Sequence, residues 1–181
     1  MTLKEERIDS EHLVDGKLLQ VYRDAVRLPD GQESAREWID HPGAAAVVPL
    51  FDDGTTLLVR QYRYAPRRIF REVPAGKLDA PGEDPAEVAA RELEEETGWK
   101  AGRLHALGAL YPAIGYSNEE IHFFLAEDLV ESEQDLGDGE FLEVERVPFA
   151  AAVGQARRGE IKDMKSVVAL LYAHNFVASR S

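Results

Sequence analysis

The chain of 181 residues contains no cysteine. That excludes disulfides, zinc–thiolate sites and cysteine nucleophiles. Long apolar runs are missing too. The longest, around Ala44–Phe51, is strand-sized and far short of the ~20 residues that span a bilayer. The opening Met1-Thr2-Leu3-Lys4-Glu5-Glu6-Arg7 has no apolar h-region, so no secretory signal is expected and the expected compartment is cytoplasmic. Basic residues are scarce, 21 Lys and Arg against 34 Asp and Glu, for a net charge of −13. A surface of that sign repels nucleic-acid backbones and anionic lipid, so neither nucleic acid nor membrane is an expected partner. Any anionic substrate would need bound divalent cations or a few well-placed arginines. For most of the surface, solubility is reason enough for the charge.

What is present suits an ordinary globular domain. The hydrophobic fraction of 44% is enough for a core. Leu18–Leu28 alternates loosely, Pro29-Asp30-Gly31 is a turn signal, and Ser34–Ile39 returns, which predicts an N-terminal β-hairpin. Strands are predicted over Ala44–Phe51, Thr55–Tyr62, Ile69–Val73, His105–Tyr111, Glu120–Glu127 and Leu142–Pro148. Helices are predicted over Pro85–Thr97, Phe149–Arg158 and Ser166–Ala178. This order argues for an α+β or α/β sandwich, with residues 1–40 as the hairpin element and 41–181 as the main domain.

The helix at 85–97 has well-defined ends. Asp84 suits the N-cap, Pro85 suits N1, Glu87 sits three after Asp84 as in a capping box, and Gly98 suits the left-handed C′ position. At ~100° per residue, Ala86, Ala89, Ala90 and Leu93 form the stripe expected to face the core. Glu92, Glu95 and Glu96 gather on another face with no lysine between them. Glu92 and Glu96 repel across one turn by ~0.2–0.5 kcal/mol. Such converging carboxylates suit a hard divalent cation, which binds carboxylate oxygens and keeps water or phosphate oxygens on its other positions. Three glutamates alone are more readily read as a solvated acidic face.

The residues around them go further. Gly76, Glu83, Arg91-Glu92-Leu93, Glu95-Glu96 and Gly98-Trp99 together resemble the Nudix box. Two departures stand out. Six residues separate Gly76 from Glu83 where the family pattern has five, with the extra one placed at Ala80-Pro81-Gly82. Trp99 stands where an aliphatic residue is commoner and is expected to pack as a hydrophobe. Glu72-Val73-Pro74-Ala75-Gly76 and Gly115-Tyr116-Ser117-Asn118-Glu119 extend the resemblance toward the ADP-ribose and nucleoside diphosphate sugar branch, over residues 36–176.

The resemblance implies an α/β/α sandwich of the Nudix type and Mg²⁺-dependent hydrolysis of a diphosphate linkage. ADP-ribose would give AMP and ribose 5-phosphate; a nucleoside diphosphate sugar would give a nucleoside monophosphate and a sugar 1-phosphate. Two to three Mg²⁺ or Mn²⁺ ions would be held by Glu92, Glu96 and the carbonyl of Ala75, with Glu95 in support. Arg91 would orient a glutamate. Glu140, with Asp138 second, would take the proton from the attacking water, unless a metal alone does so. Arg63, Glu72, Ser117 and Glu119 would face the substrate. The N-terminal hairpin would be exchanged across a homodimer, placing Arg36 or Trp38 near the partner subunit's site. Arg67, Arg68 and Arg71 cluster near Arg63, and Asp163 and Lys165 are further pocket candidates. The segment Asp135–Glu140 is acidic and glycine-rich, and is expected to be mobile. Other readings are a nucleoside triphosphate or dinucleoside polyphosphate hydrolase, a non-catalytic ADP-ribose sensor and a cation-buffering scaffold.

Overall fold

The computed structural model describes residues 3–79, 82–137 and 139–180. In chain order the elements are β1 (Glu6–Asp15), β2 (Gln20–Arg27), β3 (Glu33–Asp40), β4 (Ala44–Pro49), β5 (Thr55–Arg63), β6 (Arg68–Glu72), β7 (Ala75–Lys77), α1 (Pro85–Thr97), β8 (Trp99–Lys100), β9 (Arg103–Leu110), β10 (Ile121–Glu127), β11 (Val130–Glu131), β12 (Leu142–Pro148), α2 (Phe149–Arg157) and α3 (Met164–Ala178). They fall into two compact units, Met1–Gly43 with Tyr111–Glu120, and Ala44–Leu110 with Ile121–Ser181.

The first unit is an antiparallel sheet in the order β1-β2-β3. The predicted hairpin is β2 and β3. Its turn closes through Gly31 at φ 89, with Asp30 accepting from the Gln32 amide at 3.0 Å. The third strand, β1, was not predicted. It is exposed along its whole length, so its sequence carries no burial alternation to read. His12, Tyr22 and Trp38 stack across all three strands, with ring centroids 4.4 and 5.2 Å apart. The segment after Tyr111 attaches to β3: the Ile39 amide donates to the Tyr116 carbonyl at 2.8 Å, and the Asn118 side chain accepts from the His41 amide at 2.7 Å.

The second unit is built around a mixed sheet in the order β7-β4-β10-β9, in which β4 and β10 run parallel and the outer pairs antiparallel. Alternation along its central strands divides the core in two. Ala46, Val48, Phe123 and Leu125 pack with Phe149, Val153, Ala169 and Leu170 of α2 and α3. Ala45, Val47, Phe124 and Ala126 pack with Val88, Ala89 and Leu93 of α1. Burial on both faces explains why β4 and β10 read as continuous apolar runs. A separate antiparallel sheet, β12-β5-β6, joins the α2–α3 side of the core through Leu58, and a short ladder pairs β11 with β8. Helices on both faces of a mixed sheet form the α/β/α sandwich that was expected.

Candidate active site

The acidic helix is held in place before any chemistry is considered. Asp84 caps α1 through the Ala86 amide at 2.9 Å, and Gly98, at φ 74, donates to the Glu94 carbonyl at 2.7 Å. Val88, Ala89 and Leu93 are fully buried, whereas Ala86 and Ala90 are only half-buried. The buried stripe is therefore rotated from the expected one toward the glutamates. Glu96 itself is 6% exposed. Glu92 and Glu95 are half-buried, so the acidic face is only partly open to solvent. Trp99 packs edge-on to Phe51 at 4.8 Å, and the Arg146 guanidinium covers Phe51 at 3.7 Å, so it does serve as a hydrophobe.

A cavity of about 240 Å³ opens beside this face. Gln61, Arg63, Ala75, Gly76, Lys77, Asp79, Glu92, Glu96 and Glu140 line it. Four stretches of chain meet there: the end of β5, all of β7, the inner face of α1 and the segment before β12. Gly76 permits the closest approach. A Cβ at that position would lie 1.9 Å from Glu92 Oε1, so only glycine lets the carboxylate rest against β7. The Ala75 amide donates to Glu96 Oε2 at 3.1 Å. Arg91 reaches back to Glu83 Oε1 at 2.6 Å and Asp79 Oδ2 at 3.1 Å, and the second Glu83 oxygen accepts from the Asp79 amide at 2.7 Å. Glu83 is thus anchored despite the extra loop residue; Ala80 and Pro81 lie outside the described residues.

The segment that carries Glu140 starts from the C-terminal turn of α1. Ser132 N donates to Gly98 O at 2.7 Å, Gln134 Nε2 to Glu96 O at 2.6 Å, and Asp135 N to Glu95 O at 3.1 Å. These bonds satisfy carbonyls that a helix end leaves open. The stretch expected to be mobile is therefore tied down at its first residue, Asp135, and just before it. Beyond it, the Glu140 amide donates to the Gly137 carbonyl at 3.0 Å in a turn that brings the carboxylate to the cavity. Asp138, the second candidate base, lies outside the described residues.

Burial, then the charge of Glu95 and Glu140, pushes Glu92 up to about 7, against the pull of Arg91. Burial and the charge of Glu92 push Glu96 up to about 8, against the Ala75 amide and Lys165. Two buried carboxylates that repel each other favour a cation as partner. Gln61 Oε1, also lining the cavity, is buried without a hydrogen-bond partner. Among the described residues no three His, Asp or Glu side chains form a ready-made metal cage. A divalent cation that keeps water or phosphate oxygens needs fewer protein ligands, and this set of hard oxygen donors fits one.

The same raised pKa values couple stability to pH. Between the ordinary carboxylate range and about pH 8, the folded metal-free protein holds protons on Glu92 and Glu96 that the unfolded chain has released. Stability should therefore fall as pH rises from 5 to 8 and level off above. Each tenfold change in proton affinity is worth about 1.4 kcal/mol, so the fall should amount to several kcal/mol. Divalent cations should raise the melting temperature more at pH 8.5 than at pH 5.5, because they compete with those protons. Melting curves in chelator and in Mg²⁺ across this range check the effect; a flat chelator series would contradict it.

Opposite the helix, Glu72 is 2% exposed and held between two cations. Arg63 donates to both its oxygens, at 2.8 and 2.7 Å, and the Lys165 ammonium contacts Oε2. Burial opposes its ionisation, yet Arg63 and Lys165 outweigh it and hold Glu72 below the usual carboxylate range. Lys165 also bonds Asp163 at 2.9 Å. Asp163 caps α3 by accepting from the Ser166 amide at 3.1 Å, and the Ser166 hydroxyl accepts from Val73 N at 2.8 Å. The start of α3 thereby braces the end of β6.

A family model described as the NUDIX domain matches residues 40–171. The chain belongs to the Nudix family. A second model, the nucleoside diphosphate sugar hydrolase N-terminal domain, matches residues 5–39. An ADP-ribose pyrophosphatase of Bacillus subtilis (strain 168) is 40% identical over 173 residues, covering 94% of this chain and 93% of that one. A GDP-mannose pyrophosphatase of Yersinia enterocolitica is 32% identical over 188 residues, covering 96% of each. The crystal structure of an ADP compounds hydrolase matches with a TM-score of 0.86 at 23% identity, over 100% of this chain and 98% of that one, and so shares the fold. The resemblance read from Arg91–Gly98 is borne out, and with it the class of enzyme, a Nudix hydrolase. Hydrolases of this family generally use divalent metal ions.

The Nudix cavity contains Arg63, Ala75, Glu92, Glu96 and Glu140 of the residues singled out in the sequence. Glu72 and Arg91 stand one contact behind it, through Arg63 and Glu83. Glu95 is not among the described lining residues and acts on Glu92 through charge. Arg36, Trp38, Ser117 and Glu119 belong to the first unit. Arg36 pairs with Glu5 at 2.6 Å. Trp38 stacks on Tyr22 with its indole N–H unpartnered. Ser117 Oγ accepts from the Glu119 amide at 3.1 Å, and Glu119 stands 3.9 Å from His41. Arg71 turns away to Glu145 and Gln155. Sequence reading missed Gln61, Lys77 and Asp79 as lining residues. Lys77 had a signal, since it directly follows the Glu72–Gly76 motif already noted.

Proposed function

We propose that the chain hydrolyses the diphosphate linkage of ADP-ribose, or of a closely related nucleoside diphosphate sugar, using two to three Mg²⁺ or Mn²⁺ ions. The observation that carries this reading is the buried, like-charged Glu92–Glu96 pair sharing one cavity with Arg63 and Glu140. The pyrophosphatase relatives support the choice of substrate. Glu92, Glu96 and the Ala75 backbone would hold the cations, with Glu95 adding to the negative field. Divalent cations bound there neutralise phosphoryl oxygens and lower the pKa of water. Glu140 acts as general base and takes a proton from the attacking water. The water oxygen bonds to one phosphorus, the bond to the bridging oxygen breaks, and that oxygen leaves with the other phosphate. Arg91 keeps Glu83 in place beside the helix, and Glu72 orients Arg63 toward the diphosphate.

In the first unit, Arg36, Trp38, Ser117 and Glu119 are assigned to substrate recognition. Arg36 and Trp38 would serve the partner subunit's site in a homodimer formed through residues 1–40. The proposed location is cytoplasmic. No helix among the described residues is long and apolar enough to cross a membrane.

Equal concentrations of ADP-ribose, GDP-mannose, UDP-glucose and a nucleoside triphosphate, assayed with Mg²⁺, test the proposal. AMP released from ADP-ribose is the expected result. Pyrophosphate from the triphosphate, with the diphosphates untouched, would reject it. Light scattering of the same sample should give the mass of two chains; a fully active monomer would exclude the dimer.

A further inference from the structure

The charges lining the cavity do not balance. Asp79, Glu92, Glu96 and Glu140 are acidic, and only Arg63 and Lys77 are basic. Arg63 is largely committed, since its Nε and Nη2 both bond the buried Glu72. Arg91, on the same helix as the carboxylates, is spent on Glu83 and Asp79, and Lys165 is spent on Glu72 and Asp163. Lys77 differs from all of these. Among the described residues its ammonium makes no hydrogen bond and no ion pair, although its backbone pairs with Ala44 and carboxylates line the same cavity. It is exposed, and it ends β7, two residues beyond Ala75. Two strand residues span ~6.6 Å, so Lys77 stands at a distance from the Ala75 end, where Glu96 is held.

We propose that Lys77 is a direct substrate contact, its ammonium taking the diphosphate oxygens on the side away from the helix carboxylates. The inference rests on the diphosphate-hydrolase reading above and sharpens it. Substrate brings two negative phosphates into a cavity that is already acidic. Cations held at Glu92 and Glu96 neutralise one side of that bridge, and the other side needs a charge the protein has not already used. A lysine suits this position: it is a compact point charge with three donors on a flexible stem, able to follow either phosphate without demanding a planar fork. Arg63 then serves at a fixed angle, set by Glu72, and Lys77 as the adaptable partner. Because its ammonium has no partner among the described residues, the side chain contributes to binding, and its backbone alone serves the β7–β4 ladder.

The test compares Lys77→Met and Lys77→Arg with the wild-type chain, using ADP-ribose and saturating Mg²⁺. Lys77→Met should raise KM by about 10-fold to 100-fold with kcat within about threefold, the pattern of a contact made equally in ground and transition states. Lys77→Arg should recover most of the loss. The rise of KM with ionic strength should be shallower in Lys77→Met than in wild type. Calorimetric titration with the non-hydrolysable methylene analogue of ADP-ribose should show the same loss of affinity, and melting temperatures should agree across the three proteins. An unchanged KM and unchanged analogue affinity in Lys77→Met overturn the inference while wild-type turnover leaves the hydrolase reading standing. A wild-type chain that neither cleaves ADP-ribose nor binds the analogue overturns both.

Discussion

Glu96→Gln should lower kcat for ADP-ribose by about 10³-fold or more, equivalent to ~4 kcal/mol in the barrier. The side chain is almost wholly buried, faces the cavity and accepts from the Ala75 amide. Glutamine keeps the shape and one acceptor oxygen but removes the charge that would hold a cation. The variant should also separate function from folding. In chelator it loses a buried carboxylate that Glu92 repels, so at pH 8 it should melt at or above the wild-type temperature. Added Mg²⁺ should then stabilise it much less than it stabilises wild type. Turnover with Mg²⁺ at the wild-type rate would remove Glu96 from the cation site and, with it, the proposed mechanism.

Gly76→Ala should lower activity by about 10²-fold with little effect on the fold. The added methyl would fall 1.9 Å from Glu92 Oε1 and 2.0 Å from its carboxyl carbon, so one of them must move. The obstacle is a side chain and not backbone: Glu92 Cγ would also lie 2.6 Å away, so the whole side chain must turn aside while β7 and α1 keep their places. Gly76 does not have the left-handed φ that would strain alanine, and alanine restricts the unfolded chain slightly. Stability should therefore change by about 1 kcal/mol or less. The carboxylate, however, leaves the position it shares with Glu96, and a displacement of about 1 Å is enough for a loss of that size. Paired rate and melting measurements check the split. A variant that melts normally and retains full activity would show that Glu92 need not lie against β7.

Much of this arrangement follows from local chemistry. The ends of α1 were readable because Asp84, Pro85 and Gly98 each act on their own backbone neighbourhood. The glutamate face was readable because helical periodicity places Glu92 and Glu96 one turn apart whatever surrounds them. The central strands were readable because double burial leaves an unbroken apolar run. The exposed β1 was not, since pairing with β2 uses backbone groups that every residue has. The segment around Asp135 was expected to be mobile because composition does not reveal that the open carbonyls of α1 would hold it. Nor could the rotation of the buried stripe be read, because the spacing of Ala86, Ala89, Ala90 and Leu93 does not show that a carboxylate, Glu96, would be buried beside them.

The order of residues by itself determined a Nudix helix, with its caps, its acids and the glycine placed for close approach, because those features depend on neighbours a few positions apart. The tertiary structure decided the rest. It buried Glu96, committed Arg63 and Lys165 to Glu72, brought Glu140 across from the far end of α1 and left the Lys77 ammonium without a partner among the described residues. Those outcomes depend on which distant segments meet and on how much water they exclude, and neither is written in the spacing along the chain.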